Sequence, residues 1–196
     1  MDKKDLIREV AEEVKDCTKC PLHKSRGNVV PGEGNPNSRI MFIGEGPGAD
    51  EDQQGRPFVG RSGKLLTKII ESVGFKREDI FITNVVKCRP PENRNPSEEE
   101  MESCNCYLMS QIAIIKPKII VTVGSVPTKW LLKEKVAKIG ISKLRGNFFE
   151  FKGIKLFPIF HPSYLLRNSS LEEGKPKWIT WQDMKTIKEE YEKETV

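Results

Sequence analysis

The chain has 196 residues, of which 37% are hydrophobic and 31% charged, with a formal net charge of +5. This size suits one well-cored domain over residues 1–196, and the many Lys and Glu residues are typical of a thermophile. No apolar run is long enough to cross a membrane, and the charged N-terminus lacks the apolar core of a signal peptide, so we expect a cytoplasmic protein.

Four short apolar runs predict strands, and helical patterns separate them. The runs are RIMFIG (39–44), IFITNVV (80–86), IIVTVG (119–124) and IKLFPIF (154–160). Each is apolar on both faces, as the buried strands of a parallel sheet are. Strands that alternate with helices predict a three-layer α/β/α fold with a central four-stranded parallel sheet.

Five helical patterns accompany these strands. Their signals, in chain order, are Leu6, Val10 and Val14; Leu65, Ile69 and Val73 within residues 62–74; the capping-box pair Ser97 and Glu100 before residues 101–115; residues 125–133; and Trp181, Met184, Ile187 and Tyr191. The segment FEFKGIKLF (149–157) predicts a hairpin that turns at Lys152 and Gly153.

Three chemically unusual loops follow the predicted strands: GEGPGADED (44–52), NVVKCRPP (84–91) and HPSYLLR (161–167). Ligands bind at the carboxyl ends of parallel strands, so we expect these loops to meet at one site. The first loop matches a dinucleotide fingerprint, but Pro47 and the neighbouring acids make it unsuitable for a pyrophosphate. Phe58, in a loop of glycines and arginines, is either a stacking residue or a loop anchor.

The cysteines form a spaced set, Cys17, Cys20, Cys88, Cys104 and Cys106. In a reducing compartment, a C-x-x-C pair with distant partners favours metal binding over disulfides. The spacing leaves zinc and an iron–sulfur cluster open, because no second C-x-x-C is present to indicate a zinc ribbon. Of the two histidines, His23 is expected to be a loop residue, whereas His161 begins the third unusual loop and is a candidate functional group.

Taken together, the three loops and the cysteines resemble family 4 uracil-DNA glycosylases, the iron–sulfur enzymes of thermophilic archaea and bacteria. The match runs from the C-x-x-C pair to residue 167. The resemblance implies the glycosylase α/β/α fold and a [4Fe–4S] cluster held by Cys17, Cys20, Cys88 and Cys104. It also implies a monofunctional hydrolase that removes a flipped-out uracil from DNA, leaving an abasic site for base excision repair.

The resemblance assigns roles around the base. Asn84 would read the uracil edge, Phe58 would stack on it, and His161 would donate a hydrogen bond to O2. Gly44 and Gly46 would line the substrate pocket. Family 1 enzymes carry Asp and Tyr where this chain has Gly46 and Gly48. Two acids are the available substitutes: we expect Glu45 near the attacking water and Glu51 beside C5 of the base, where it would exclude thymine.

The resemblance also implies contacts with uracil-containing DNA, double- or single-stranded. Ser163 would bind a phosphate, and Arg89, Arg94 and Arg167 would follow the backbone. Leu165 would fill the gap left by the flipped base, with the adjacent leucine as the alternative. We further expect a monomer located at the nucleoid, with a replication sliding clamp as a protein partner.

Three other functions compete with this one. A DNA-binding iron–sulfur protein without excision activity would use the cysteines and arginines but has no need of Asn84 together with His161. A zinc-stabilised nucleotide-binding domain is the second. The third is a related glycosylase with wider base tolerance, against which Asn84 argues.

Overall fold

A computed structural model of the chain describes residues 2–193. The strands are β1 Glu33–Gly34, β2 Ile40–Gly44, β3 Phe81–Asn84, β4 Ile119–Val123, β5 Phe149–Phe151 and β6 Ile154–Ile159. The helices are α1 Lys3–Lys15, α2 Ala49–Gln54, α3 Arg61–Glu71, α4 Glu98–Ile115, α5 Ser125–Leu132, α6 Ile141–Leu144, α7 Pro162–Arg167 and α8 Pro176–Lys193. Within these residues, no helix combines the length and apolar character needed to cross a membrane.

The strands form one mixed sheet of six, in the order β1-β3-β2-β4-β6-β5. The four central strands are parallel, as predicted. The prediction of only four strands is wrong, because β1 pairs antiparallel with β3 and β5 pairs antiparallel with β6. The first of these edge strands has two residues and no apolar pattern, so the sequence gives no signal for it.

The predicted hairpin is confirmed by the pairing of β5 with β6. Lys152 and Gly153 both have positive φ, at 51° and 78°. Two consecutive left-handed residues are what a tight hairpin turn requires. The Ser97–Glu100 capping box of α4 is also confirmed, since the Glu100 carboxylate accepts from the Ser97 N–H at 2.8 Å and the Ser97 hydroxyl accepts from the Glu100 N–H at 3.2 Å.

Two apolar cores cover the two faces of the sheet, which confirms the three-layer architecture. One core packs α1 and α4 against one face, and the other packs α3 and α8 against the opposite face. Adjacent residues of β2 divide between them: Met41 belongs to the first core and Phe42 to the second. This alternation makes the central strands apolar on both sides.

Helix α3 is rotated relative to its prediction. Its buried positions are Gly63, Leu66 and Ile70, whereas the predicted stripe of Leu65, Ile69 and Val73 is only partly buried. The cause is close approach at Gly63, where a Cβ atom would lie 2.0 Å from the carbonyl carbon of Phe58. In α8, Met184 and Ile187 are buried as expected, but Trp181 is exposed.

Candidate functional site

The three unusual loops meet at the carboxyl edge of the sheet, as predicted, around a pocket of about 440 Å³. This volume lies within the range of small-ligand sites. A fourth loop, after β4, completes the wall. The lining residues are Glu45, Gly46, Pro47, Gly48, Glu51, Phe58, Ser62, Asn84, Pro90, Asn93, Arg94, Asn95, Gly124, Ser125, Val126, His161 and Ser163.

Asn84 is the last residue of β3, and its side chain is 1% exposed. Among residues 2–193, its Oδ1 is the one buried side-chain nitrogen or oxygen atom without a hydrogen-bond partner. Such an atom costs free energy in the folded chain, so a ligand whose N–H donor meets Oδ1 after a rotation of the side chain gains affinity. Asn84 therefore marks the position where a ligand's donor is expected.

Gly44 makes this arrangement possible without lining the pocket. A Cβ atom on Gly44 would lie 2.4 Å from Asn84 Oδ1 and 2.4 Å from Phe58 Cζ. Gly44 was predicted to contact the substrate, but it lies behind the pocket wall, where the absence of a side chain leaves room for Asn84 and Phe58. Gly46 does line the pocket, and a Cβ atom there would lie 2.7 Å from Val86 Cγ2.

Phe58 is held in the pocket wall by an unusual backbone. It is 7% exposed and has a left-handed φ of 50°, which is costly for a non-glycine residue. The preceding residue, Pro57, is tied down by Arg77, whose Nη2 donates to the Pro57 carbonyl at 2.5 Å and to Glu33 Oε1 at 3.0 Å. The Phe58 ring lies 6.2 Å from the His161 ring, so one bound base can reach both.

His161 caps the N-terminus of α7 with its side chain. Its Nδ1 accepts the Ser163 N–H at 3.1 Å and lies 2.8 Å from Ser163 Oγ. Burial, reinforced by Arg167 and opposed by Glu51, lowers the pKa of His161 to about 4. The imidazole is therefore neutral at pH 7, with Nδ1 as acceptor and Nε2–H as a free donor.

The two predicted acids differ in their environments. Glu51 is 9% exposed, and its carboxylate accepts from the backbone N–H groups of Gly48 at 3.2 Å, Val59 at 2.9 Å and Gly60 at 2.8 Å. It therefore joins the glycine-acid loop to the Phe58 loop. Glu45 is partly buried in the same pocket, and desolvation raises its pKa.

The residues predicted to contact DNA phosphates differ in their exposure and in the partners they already have. Ser163 lines the pocket, but its hydroxyl contacts His161, so a phosphate contact requires that hydroxyl to turn. Arg167 is exposed, and Arg89 is partly buried, donating to Asn93 Oδ1 at 2.8 Å. Arg94 is paired with Glu100, which reduces the charge it can offer a phosphate.

The predicted role of Leu165 does not fit its position. Leu165 is 0% exposed and lies in the protein interior. Because side chains three and four residues apart share a helix face, Leu166 and Arg167 lie on the side of Ser163, whereas Leu165 points away from it. Leu166 is partly buried and replaces Leu165 as the candidate for filling a gap in DNA.

A second, much smaller cavity of about 10 Å³ gathers the predicted cysteines. It is lined by Val14, Cys17, Lys19, Cys20, His23, Arg26, Lys87, Cys88, Ser103, Cys104 and Tyr107. Two N–H donors point at sulfur atoms: Arg26 Nη1 lies 3.2 Å from Cys88 Sγ, and the Lys87 N–H donor lies 3.3 Å from Cys104 Sγ. Cys106 is exposed and outside the cavity.

The four cavity cysteines are free thiols, and burial raises the pKa of Cys104 to about 11. Within the described part of the chain, no three His, Cys, Asp or Glu side chains converge closely enough to hold a metal ion.

Sequence reasoning missed several contributors to the two cavities. Ser62, Ser125 and Asn95 line the pocket, and Arg26 and Lys87 line the cysteine cavity. The glycine that ends the third apolar run was an available signal, since Gly124 has a φ of 95° and a Cβ atom there would lie 3.1 Å from His161 Cβ. Arg26 has no comparable local signal.

Comparison with known proteins agrees with this geometry. The model of the uracil DNA glycosylase superfamily matches residues 31–185. A type-4 uracil-DNA glycosylase from Thermotoga maritima is 52% identical over 171 residues, which cover 87% of this chain and 88% of the relative. Those from Saccharolobus solfataricus and Archaeoglobus fulgidus are 48% and 43% identical, over 96% and 86% of this chain and 87% of each relative. The chain therefore belongs to the uracil DNA glycosylase superfamily, and within it to the type-4 enzymes.

Proposed function

We propose that this protein is a monofunctional uracil-DNA glycosylase that hydrolyses the N-glycosidic bond of a flipped-out deoxyuridine and leaves an abasic site. The observation that carries the proposal is the unpaired, buried Oδ1 of Asn84 in a pocket that also contains Phe58 and His161. A uracil base offers what each needs: an N3–H donor, a π face and an O2 acceptor.

Base selection follows from the carboxamide of Asn84. Its Oδ1 accepts from uracil N3–H, and its amide N–H donates to O4. Cytosine has an amino group and a bare N3 at those positions, so it leaves buried polar groups unpaired. Sites of this kind discriminate strongly between such analogues. Phe58 stacks on the extruded base, which offsets part of the lost base stacking.

Bond cleavage develops negative charge on uracil O2 and positive charge on the sugar. The Nε2–H of neutral His161 donates to O2 as that charge forms, in the manner of an oxyanion hole. Glu45 lies near the sugar side, where it orients the attacking water. Glu51, fixed by its three backbone donors, forms a wall that cannot swing away from C5 of the base, as exclusion of a methyl group requires.

These roles predict different outcomes for the two acids. Glu45→Gln lowers the rate on U:G duplexes by up to about 10²-fold without admitting thymine, because it misplaces the water. Glu51→Ala raises the ratio of T:G to U:G excision. Single-turnover rates on both substrates measure this, with exposed Asp50→Ala of the same loop as control. Full activity and full discrimination in both variants would contradict the assignment.

We further propose that Leu166, not Leu165, fills the stack after base flipping, while Arg89, Arg167 and the Ser163 hydroxyl contact phosphates. Leu166→Ala should then slow excision from U:A duplex about tenfold while leaving single-stranded DNA unaffected, since no stack has to be opened there. Leu165→Ala removes a core side chain and should lower the unfolding temperature instead. Equal losses on both DNA forms would rule out the Leu166 role.

The cysteine cavity supports a [4Fe–4S] cluster bound by Cys17, Cys20, Cys88 and Cys104. The type-4 family resemblance favours the cluster over a zinc ion, and no second C-x-x-C pair is present to indicate a zinc ribbon. Arg26 and the Lys87 N–H are placed to donate to cluster thiolates. Bound to these four cysteines, a cluster would link the segment after α1, the loop after β3 and helix α4. Hydrolysis of a glycosidic bond transfers no electrons.

The proposal is tested by incubating the purified protein with U:G, U:A, T:G and C:G oligonucleotides and cleaving abasic sites with alkali. Strand breaks in the uracil substrates alone are expected. An inactive, folded, iron-containing preparation would favour a DNA-binding protein without excision activity. Breaks in T:G would favour a glycosylase of wider base tolerance. A monomeric state, a sliding-clamp partner and a nucleoid location stay predictions, the first of which sedimentation checks.

A further inference from the structure

Lys87 is a buried lysine that the chemistry of base excision does not use. It is 1% exposed, and its Nζ donates to Thr83 Oγ1 at 2.6 Å, to the Asn84 carbonyl at 2.7 Å and to Gln111 Oε1 at 2.9 Å. None of these three acceptors is a carboxylate. An ammonium group buried among neutral acceptors is costly, so its presence calls for a role.

The network around Lys87 immobilises the end of β3. Gln111, on α4, also donates its Nε2 to the Pro31 carbonyl at 2.6 Å, and Thr83 Oγ1 donates to the same carbonyl at 3.1 Å. The Val30 N–H donates to the Lys87 carbonyl at 2.8 Å. Three separate segments of the chain are therefore joined where the strand reaches the pocket.

Lys87 also lies between the two cavities of the protein. Its backbone N–H donates to Cys104 Sγ, and it lines the cysteine cavity. Its ammonium group holds the carbonyl of Asn84, whose side chain lines the base pocket. A displacement of Lys87 would consequently move the backbone of the residue that reads the base.

We propose that Lys87 is a positioning residue for base recognition, an inference that rests on the proposed function. Its three hydrogen bonds fix the carboxyl end of β3, and thereby hold the Asn84 carboxamide where Oδ1 meets uracil N3–H. A neutral side chain of similar length, such as methionine, would remove the donor that these three acceptors share. Gln111 Oε1 would keep only the Thr83 hydroxyl at 3.1 Å, and the Asn84 carbonyl would lose the ammonium group that holds it. The effect of Lys87 on excision should therefore pass through Asn84.

A double-mutant cycle tests this route. Lys87→Met is expected to lower the single-turnover rate about 10- to 100-fold, as small misplacements of reacting groups do. Because Lys87 acts through Asn84, the double variant Lys87→Met/Asn84→Ala should be no slower than Asn84→Ala alone. Effects that multiply, or a Lys87→Met variant at the wild-type rate, would overturn the proposal.

Further measurements separate positioning from general damage. The exposed Lys138→Met variant is the matched control and should keep the wild-type rate. Iron content and affinity for abasic duplex should be unchanged in Lys87→Met, whereas a purely structural role would lower both. If Lys87→Met does not fold, Thr83→Val removes one acceptor of the same lysine and enters the same cycle. An inactive wild type would reject the proposed function; an active wild type with multiplicative effects would reject only this inference.

Discussion

Replacing His161 by alanine is expected to lower the single-turnover rate of uracil excision by about 10²–10³-fold, the usual cost of removing one oxyanion donor. The structure supplies the reason: Nδ1 is occupied by the Ser163 N–H, so Nε2 carries the proton and is the atom that can donate. Affinity for undamaged duplex should not change, because the hydrogen bond strengthens only as uracil leaves. A variant that keeps more than a tenth of the rate would contradict this role.

The same environment gives His161 a pH signature. Burial, and then Arg167, lower the pKa of His161 from 6.5 to about 4, against the opposing charge of Glu51. The neutral donor therefore persists as pH falls through 6.5, and the excision rate should show no His161-dependent decrease there. Since the folded pKa lies below the unfolded value, this group's contribution to stability is complete above pH 6.5 and is lost towards pH 4. A decrease centred near 6.5 that disappears in His161→Ala would be inconsistent with a neutral donor.

The second large effect is expected on iron content and thermal stability when Cys104 is replaced, and Cys106 on the same helix provides the control. Cys104 lines the cavity, whereas Cys106, two residues along the same helix, is exposed. Cys104→Ser should lose bound iron and visible absorbance. It should also unfold at a temperature lower by roughly 10 °C or more, since a structural metal centre contributes several kcal/mol and about 1 kcal/mol moves the midpoint by 2–4 °C.

Cys106→Ser should keep the iron, the colour and the unfolding temperature of the wild type. Its sulfur contacts Lys19 Nζ at 3.3 Å on the surface, and the loss of such a contact costs little. Iron analysis and thermal unfolding of both variants, purified without oxygen, test whether Cys104 is a cluster ligand and Cys106 is not. Equal iron content in the two variants would remove Cys104 from the ligand set.

Much of the site was predictable because its signals are local. Asn84 lies within a strong apolar run and His161 directly follows another, and the carboxyl ends of parallel strands lie on one edge. The capping box and the Lys152–Gly153 turn were predictable because each depends on residues close in sequence. Spacing alone separated Cys106 only weakly from the other cysteines. The family resemblance predicted which four cysteines belong together, and those four line the cavity.

The errors came from features that packing decides. The choice between Leu165 and Leu166 depends on how α7 is rotated against the core, and two adjacent leucines carry no information on that rotation. The buried face of α3 follows from the contact of Gly63 with Phe58, two positions whose proximity is tertiary. The short edge strand β1 exists only because β3 offers it a partner.

The layered fold, the edge where the site lies and the chemical types gathered there follow from residue order, because apolar periodicity and strand order act through neighbours along the chain. Which atoms are left unpaired and which are already bonded depends instead on tertiary packing. Asn84 Oδ1 without a partner, the Nδ1 of His161 occupied by Ser163, the carboxylate of Glu51 held by three N–H groups and the buried Lys87 all depend on contacts between distant segments. Hydrogen bonding in a desolvated interior is a property of that assembly, and residue order alone does not specify it.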